Sequence, residues 1–221
     1  MCGRFALAFT KDVIIGELNG GDWFEYHYPL ALPRYNVAPM QYAPVLWKEE
    51  KRIILDAFRW GIVPKWAKDE SFASRMINAR IETLREKPAY RSLVTHHRGV
   101  VLSSGYFEWQ KIGSVKQPWY IYPAKGSVLP LAGLWDVWNT VDMSPLYTFT
   151  IITTSARDDL SHIHTRMPAL LKTGQIQPWI EGDLSPDDLK KPDVKTRIHP
   201  VSTIVNSPGH DNPQCIRQTE L

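Results

Sequence analysis

The chain has 221 residues, of which 43% are hydrophobic and 22% are charged, and its net charge is +3. This length suits one large domain or two small ones, and the composition excludes a disordered or fibrous protein. No apolar run of about 18 residues and no basic-then-apolar leader is present. We therefore expect a cytoplasmic protein that has no membrane partner.

The cysteine pattern also limits the kinds of functional site that the chain can contain. The two cysteines, Cys2 and Cys215, lie at opposite ends of the chain. No Cys-x-x-Cys pair and no Cys/His spacing typical of zinc sites occurs, so we predict neither a metal nor another cofactor. A reducing cytoplasm would preserve a reactive thiol. Cys215 is predicted to be inert.

Apolar runs and turn residues predict a chain built mostly of short strands. The predicted strands cover residues 5–9, 42–48, 52–60, 98–103, 106–110, 118–122, 131–138, 146–154 and 195–201. Short helices are predicted at residues 11–18, 81–87, 155–160, 175–180 and 185–190. About fifteen C-terminal residues are expected to form a loop or tail. We predict an α+β fold: one domain over residues 1–221, with a curved, barrel-like antiparallel β core flanked by short helices.

The N-terminus carries the first candidate reactive group. Cysteine is small, so the ordinary processing aminopeptidase should remove Met1 and leave Cys2 at the N-terminus. Its α-amine has a reference pKa of about 7.7–8.0 and its thiol one of about 8.5, so both are partly nucleophilic near neutral pH. Such an aminothiol condenses with an aldehyde to an imine and then closes to a thiazolidine. Taken alone, however, a cysteine at position 2 favours an idle residue, because this position tolerates any side chain.

A basic segment and an exposed tryptophan suggest a nucleic-acid partner. Between Ser71 and Arg98 the chain has six Lys or Arg residues against two acids, whereas residues 181–188 are acidic. This distribution fits one positive face, although a solvated helix surface is the alternative. Trp60 is expected in the core. Trp66 stands among lysines, as a stacking site for single-stranded nucleic acid requires.

Two central segments offer further candidate residues. If residues 77–80 are extended, Asn78 and Arg80 point to the same side of the strand. In the strand at residues 106–110, Glu108 stands between Phe107 and Trp109. Desolvation there would raise its pKa and make it a usable general acid, although a solvated edge-strand Glu is equally compatible with the pattern.

A third segment follows the predicted helix at residues 155–160, for which Ser155 is the predicted N-cap. It contains His162, His164 and Arg166. Two histidines could bind a metal, but no third ligand is nearby. A general base with an anion-binding arginine fits better, and a solvated helix end is the structural alternative.

Eight motifs occur in the order seen in one protein family. They are MCGRF (1–5), RYNVAP (34–39), WGIVP (60–64), INAR (77–80), GYFEW (105–109), AGLW (132–135), TIITT (150–154) and HTRMP (164–168). On these motifs the sequence resembles the SRAP (SOS response-associated peptidase) family over nearly its whole length. The chain departs from the family pattern at residues 98–104 and in the order of Tyr106 and Phe107, but Glu108 is kept.

The resemblance implies a DNA-damage response enzyme that binds abasic sites in single-stranded DNA and crosslinks to them through a thiazolidine. In this chain, Cys2 is implied as the nucleophile, and Asn78 as the residue that holds its amine or the opened sugar. Glu108 is implied as general acid/base, and His164 as the group that assists Schiff-base formation and reversal. The resemblance also implies AP-lyase-like and autopeptidase activities.

The resemblance also implies the groups that hold the DNA. Arg4, Arg80 and Arg166 are implied as phosphate contacts, and Trp66 as a support or wedge for the strand. The implied partner is single-stranded DNA containing abasic sites, with the replication machinery as a candidate. We expect a monomer that associates with the nucleoid when it is bound to DNA.

Two other functions remain open on the sequence. One is a cysteine peptidase that uses Cys2, His164 and Glu108 and acts on peptides or only on its own Met1. Such an enzyme would be indifferent to DNA. The other is a non-covalent single-stranded nucleic-acid module in which Cys2 is idle. It would bind intact and abasic strands equally, with strong salt dependence.

Overall fold

The computed structural model describes residues 2–18, 22–140 and 142–220. The strands are β1 (Phe5–Leu7), β2 (Glu25–Tyr26), β3 (Arg34–Val37), β4 (Tyr42–Glu49), β5 (Arg52–Trp60), β6 (Asn78–Arg80), β7 (Arg98–Ser103), β8 (Gly105–Ile112), β9 (Val115–Pro123), β10 (Leu129–Asn139), β11 (Pro145–Ser155), β12 (Arg166–Pro168) and β13 (Thr196–Pro200). The α-helices are α1 (Lys11–Glu17), α2 (Pro88–Arg91), α3 (Leu93–His96), α4 (Asp158–Ser161) and α5 (Ile176–Glu181). Short 3-10 helices cover Glu70–Arg75, Ile81–Thr83, Thr173–Gln175, Pro186–Leu189, Thr203–Asn206 and Pro213–Ile216.

Five strands close into a barrel. β5 pairs with β4 on one side and with β11 on the other, and the ring continues through β10 and β7 back to β4. A closed ring with an odd number of strands cannot be antiparallel at every junction. The exception is the β5–β11 pair, which is parallel and aligns Trp60 with Phe149. The strands β2, β6 and β12 extend this sheet at its edges.

A second sheet carries the N-terminus. Its strand order is β13-β9-β8-β1-β3, so the short strand β1 lies between β8 and β3. Phe5 lies opposite Tyr106 of β8, and one apolar core is shared between this sheet and the barrel. The predicted α+β fold with a curved, barrel-like β core is therefore confirmed.

Trp60 joins the two sheets. Its ring centroid lies 4.9 Å from that of Phe5 in β1 and 6.2 Å from that of Phe149 in β11. Its indole N–H donates to the Ile77 carbonyl over 2.9 Å. The side chain is fully buried, as expected, and a buried indole needs such a partner. This contact holds the N-terminal strand and the segment leading into β6 against the same edge of the barrel.

Several element predictions were wrong. Residues 81–87 form only a 3-10 turn, and Pro88 begins helix α2 instead of ending the predicted helix, because proline suits the first helical position. Ser155 ends β11, and Arg157 is the N-cap residue of α4. Residues 34–37, to which no predicted strand was assigned, pair with β1.

The C-terminal residues fold back onto the domain. Val201 and Gln218 form a β-bridge, and Cys215 is fully buried. The Asp211 carboxylate accepts hydrogen bonds from the backbone N–H groups of Tyr35 and Asn36. This segment is irregular but packed against β3.

Gly105, at the start of β8, is required by space and by backbone conformation. Its φ is +154°, and a Cβ there would lie 2.6 Å from the Ile121 carbonyl oxygen. We expect Gly105→Ala to lower the free energy of unfolding by about 3 kcal/mol or more, measured by urea denaturation. The matched control is Gly113→Ala, where φ is +61° but no atom lies within 4 Å of the added Cβ. Its cost should be near 1 kcal/mol, and equal losses would contradict the prediction.

Candidate active site

Cys2 is held just ahead of β1. The Phe107 backbone N–H donates to the Arg4 carbonyl over 2.9 Å, which continues the β1–β8 pairing toward the N-terminus. Cys2 is fully buried, and its Sγ lies 3.9 Å from the Arg4 carbonyl oxygen. Burial raises the pKa of the Cys2 thiol, and the charge of nearby Glu108 raises it further. The sulfur is therefore a protonated thiol at neutral pH.

Asn78 fastens Cys2 to the barrel. Strand β6 pairs in parallel with β11, which places Asn78 opposite Ile151. The Asn78 Nδ2 donates to the Cys2 carbonyl over 2.7 Å. Its Oδ1 is buried and accepts no hydrogen bond from the described residues. The amide thus holds the backbone of Cys2 and keeps one acceptor in reserve beside it.

Glu108 is a buried carboxyl group in β8. It is 4% exposed, and burial raises the pKa of Glu108 to about 7. The acid and the carboxylate forms are consequently both populated near neutral pH, which is the condition for a group that must give and take a proton. The edge-strand alternative, with a solvated Glu108, is excluded by this burial.

His164 lies in the loop between α4 and β12. The Arg166 backbone N–H donates to His164 Nδ1 over 2.9 Å, so Nδ1 is the acceptor and the proton of the neutral ring resides on Nε2. Burial lowers the pKa of His164. The ring is therefore neutral at pH 7 and carries a donor on Nε2.

The raised pKa of Glu108 predicts how stability changes with pH. The folded state binds the Glu108 proton more tightly than the unfolded state does. The protonated carboxyl therefore makes its full contribution to the free energy of unfolding below pH 4.5, and this contribution is lost as the pH rises through about 7. We expect the wild type to lose up to about 3 kcal/mol relative to Glu108→Gln between pH 4.5 and pH 8. Urea denaturation across this range measures the difference, and a difference that does not change with pH would contradict it.

Two of the arginines implied as phosphate contacts are already engaged inside the protein. Arg4 is 9% exposed, and its Nη1 donates to Asn36 Oδ1 and to the Val205 carbonyl, both at 2.7 Å. Arg166 grips the Glu82 carboxylate through two bonds of 2.6 and 3.0 Å. A phosphate would have to compete with these partners.

The other two implied DNA contacts are exposed. Arg80 lies two residues beyond Asn78 in the extended strand β6 and forms no ion pair with the described residues. Trp66 is 61% exposed, with its ring edge-on to Phe72 at 5.1 Å. In contrast, Arg98 of the basic segment lies over the Trp179 ring and caps the Val94 carbonyl, so it belongs to the fold.

Two residues that support the site were missed by sequence reasoning. The fully buried Asn36 in β3 accepts from Arg4 and donates to the carbonyls of Val205, Ser207 and His210, which connects the C-terminal segment to β3 and to Arg4. The only sequence signal for this role is a polar residue inside the RYNVAP motif.

The other residue is Gln110, two positions beyond Glu108 in β8. Its Oε1 accepts from Trp119 Nε1 over 3.0 Å, and its Nε2 donates to the His162 carbonyl over 3.2 Å. The strand that carries Glu108 is thereby joined to the loop that carries His164. No local pattern announces this contact.

The described residues contain neither a metal-ligand cluster nor a helix that could span a membrane. Within residues 2–18, 22–140 and 142–220, no three His, Cys, Asp or Glu side chains come together as a metal site would require. In the same ranges no helix has the length and apolarity needed to span a bilayer.

Comparisons with known proteins agree with this geometry. Residues 1–208 match the sequence model of the SOS response associated peptidase (SRAP) family. Abasic site processing protein YoqW of Bacillus subtilis (strain 168) is 36% identical over 230 residues, covering 98% of this chain and 99% of that protein. Abasic site processing protein HMCES of Gallus gallus is 35% identical over 226 residues, covering 86% of this chain and 67% of that protein.

A solved structure supports the fold. The X-ray crystal structure of a protein from Bacteroides thetaiotaomicron superposes with a TM-score of 0.85 at 24% identity, and it covers 99% of this chain and 100% of that one. The order of the motifs, the fold and the matched length thus lead to one conclusion: the chain belongs to the SRAP family.

Proposed function

We propose that the chain binds abasic sites in single-stranded DNA and, once Met1 is removed, forms a thiazolidine crosslink through Cys2. The observation that carries the proposal is the position of Cys2, buried and within the electrostatic influence of a carboxyl group whose pKa is about 7. The names of its relatives, abasic site processing proteins, support the same substrate.

The reaction balances without an oxidant or a cofactor. The Cys2 amine adds to the aldehyde carbon of the ring-opened sugar, and the carbinolamine loses one water to give an imine. The Cys2 sulfur then adds to the imine carbon and closes a five-membered ring, while the thiol proton is passed to nitrogen. The product is therefore the sum of protein and strand less one water.

The titrating groups divide the proton transfers. Protonated Glu108 can donate to the carbinolamine hydroxyl as water leaves, and its carboxylate can then accept the thiol proton. Neutral His164 offers its Nε2 hydrogen to an oxygen of the sugar. The buried Oδ1 of Asn78 can accept from the new amine of Cys2. Because the thiol is protonated, a nearby base matters more than for a thiolate.

The strand itself needs contacts that ignore base sequence. Arg80 is exposed beside Asn78 and suits a phosphate, and Trp66 suits stacking or wedging. In this proposal Arg166 and Arg4 contact the edge of the bound DNA strand. Arg166 also keeps its ion pair with Glu82, and Arg4 keeps its bond to the C-terminal segment.

The peptidase alternative is less favoured by the same electrostatics. A cysteine peptidase attacks with a thiolate, usually through a lowered thiol pKa. Here burial and Glu108 raise the pKa of Cys2. Removal of Met1 by the chain itself remains a prediction, and expression in cells that lack the processing aminopeptidase would test it.

The direct test uses protein whose intact mass shows that Met1 is absent. It is incubated with a single-stranded oligonucleotide that carries one abasic site, and with the same oligonucleotide without the lesion. We expect a band that survives a denaturing gel and a mass equal to protein plus strand less one water, with the abasic strand only. Non-covalent binding that is equal for both strands would overturn the proposal.

Asn78 should affect rate rather than the identity of the product. We expect Asn78→Ala to slow crosslinking by about 10- to 100-fold at neutral pH, because Cys2 loses the bond to its carbonyl and its amine loses an acceptor. Quenched time courses on denaturing gels measure the rate. Asn139→Ala, at the exposed end of β10, is the matched control, and equal rates for both variants would refute the assigned role.

A further inference from the structure

A cavity of about 330 Å³ lies between the Trp66 loop and helices α2 and α3. Its volume is at the lower end of the range for small-ligand sites, about 300–1,000 Å³. Its walls are mainly apolar and include Pro64, Pro88, Ala89 and Leu93, while the exposed Trp66 stands at its mouth. None of the four proposed reacting residues lines it. Apolar walls beside an indole fit a flat aromatic ligand.

The cavity also contains a buried carboxylate, that of Asp136, which is only 5% exposed. Its Oδ1 accepts from the Val137 N–H over 2.9 Å, and its Oδ2 accepts no hydrogen bond from the described residues. Lys65 Nζ and His97 Nδ1 both lie 3.6 Å from Oδ1, which is within ion-pair distance although too far for a hydrogen bond, so the protein's own groups engage Oδ1 and leave Oδ2 open. A buried carboxylate with an open oxygen favours a ligand that donates N–H groups.

His97, which lines the cavity beside Asp136, has a fixed ring orientation. Its ring stacks on Trp135 with centroids 4.3 Å apart and planes 6° apart. Its Nδ1 is buried and has no hydrogen-bond partner among the described residues. Because this buried atom lies 3.6 Å from Asp136 Oδ1, the ring helps to position the carboxylate and offers no further contact to a ligand.

Helix α2 connects the cavity to the proposed crosslinking site. Ala89 lines the cavity, and the next residue, Tyr90, donates from its hydroxyl to the Asn78 carbonyl over 3.4 Å. For a strand whose abasic sugar lies at Cys2, the proposal requires that one of the neighbouring nucleotides reaches this opening. Lys65 lines the cavity, and three more exposed cations stand next to lining residues or within two residues of them in the sequence and suit the phosphates of that strand: Lys68, Lys87 and Arg91.

We propose that the cavity binds one guanine base of the DNA strand, close to the abasic site. The inference rests on the proposed function and deepens it, since it adds a base preference to a lesion-specific reaction. Guanine presents two adjacent donors, N1–H and the N2 amino group, which match a carboxylate. Thymine has one N–H between two carbonyls, and adenine and cytosine each place an acceptor beside their amino group. Stacking on Trp66 and the apolar walls accommodates the faces of the base.

An arginine side chain of a protein would also fit a carboxylate beside an indole. Four exposed cations, one lining the cavity and three close to lining residues in the sequence, outnumber the exposed acids Asp69 and Glu86 beside them, which disfavours such a ligand and favours a phosphodiester backbone. The charge around the opening therefore favours the nucleic acid.

The test is an affinity scan with the wild-type protein. All-thymine strands carry one abasic analogue that lacks an aldehyde, and a single guanine is moved through the flanking positions. We expect one position near the lesion to lower the Kd about tenfold at fixed salt, measured by fluorescence anisotropy, and inosine there to lose most of the gain because it lacks the N2 amino group. Equal Kd values at every position would overturn the proposal.

A variant identifies the cavity as the source of the preference. Asp136→Asn should reduce the guanine-to-thymine affinity ratio to about one, because the amide offers one acceptor oxygen instead of two. Asp193→Asn, an exposed carboxylate paired with Lys172, should keep the ratio. A ratio preserved in Asp136→Asn, with the variant folded, would refute the assignment. If that variant does not fold, the guanine–inosine comparison in the wild type decides.

Two further arms separate the outcomes. Free dGMP in excess should not displace the all-thymine strand, and displacement would show that the cavity serves a free nucleotide instead. Crosslinking of the all-thymine strand with a genuine abasic site tests the proposed function by itself. Crosslinking without a guanine effect rejects the cavity proposal alone, whereas an absence of crosslinking rejects the proposed function.

Discussion

Cys2→Ala is expected to abolish the crosslink that survives a denaturing gel. Loss of the sulfur prevents ring closure, so the reaction stops at a reversible imine formed by the α-amine. Cys2→Ser should behave in the same way, and both variants should still be trapped by borohydride reduction. Intact mass must show in each case that Met1 has been removed.

Cys215→Ala is the matched control for this experiment. Cys215 is the second cysteine and is equally buried. Its thiol donates to the His210 carbonyl over 3.3 Å, and it packs in a different apolar cluster from Cys2. It should crosslink at the wild-type rate. A stable, unreduced crosslink in Cys2→Ala, or its loss in folded Cys215→Ala, would refute the assignment of the nucleophile.

Glu108→Gln is expected to slow crosslinking by about 100- to 1,000-fold at pH 7, which is the usual contribution of one general acid/base. The amide retains the shape but cannot exchange a proton. A plot of the wild-type crosslinking rate against pH should show a bend near pH 7, because Glu108 loses its acid form above that value and its carboxylate form below it. This bend should be absent in the variant. Rates measured from pH 5 to pH 9 on denaturing gels test it.

Two controls make this result interpretable. Glu181→Gln replaces an exposed glutamate at the end of α5 and should leave the rate and the bend unchanged. The stability of Glu108→Gln relative to the wild type should be at least as high at pH 8 as at pH 5, since the substitution removes the buried charge. A folded Glu108→Gln variant with an unchanged profile would exclude the general acid/base role.

Much of the fold could be predicted from local pattern. The main strands of both sheets were found because their apolar residues alternate or run together between turn residues. The helix at residues 11–17 and those near residues 176 and 186 were also found. The failures, at residues 81–87 and at β3, occurred where a short element owes its existence to a distant partner. Strand β3 is stabilised by β1 and by Asp211, and neither is visible in its own sequence.

The candidate site was also predictable only in part from the local sequence. Cys2 and Glu108 were singled out by position and by apolar neighbours, and the structure places them close enough for the charge of Glu108 to raise the pKa of Cys2. The internal engagement of Arg4 was not foreseen, because an arginine near the N-terminus looks like a surface group until Val205 and Asn36 are seen around it. The bridge from Gln110 to the His162 carbonyl spans 52 residues and has no sequence signature.

By itself, the sequence determined which chemistry is available: a cysteine that processing can expose, a glutamate in apolar company, the order of the family motifs and the alternation that makes strands. These are properties of residue type and of near neighbours. Only the tertiary structure decided the closed barrel with its one parallel junction, the burial that brings the pKa of Glu108 to about 7, and the contact between Asn78 and Cys2. Desolvation and long-range hydrogen bonds depend on which distant segments meet, and that information exists only in the folded chain.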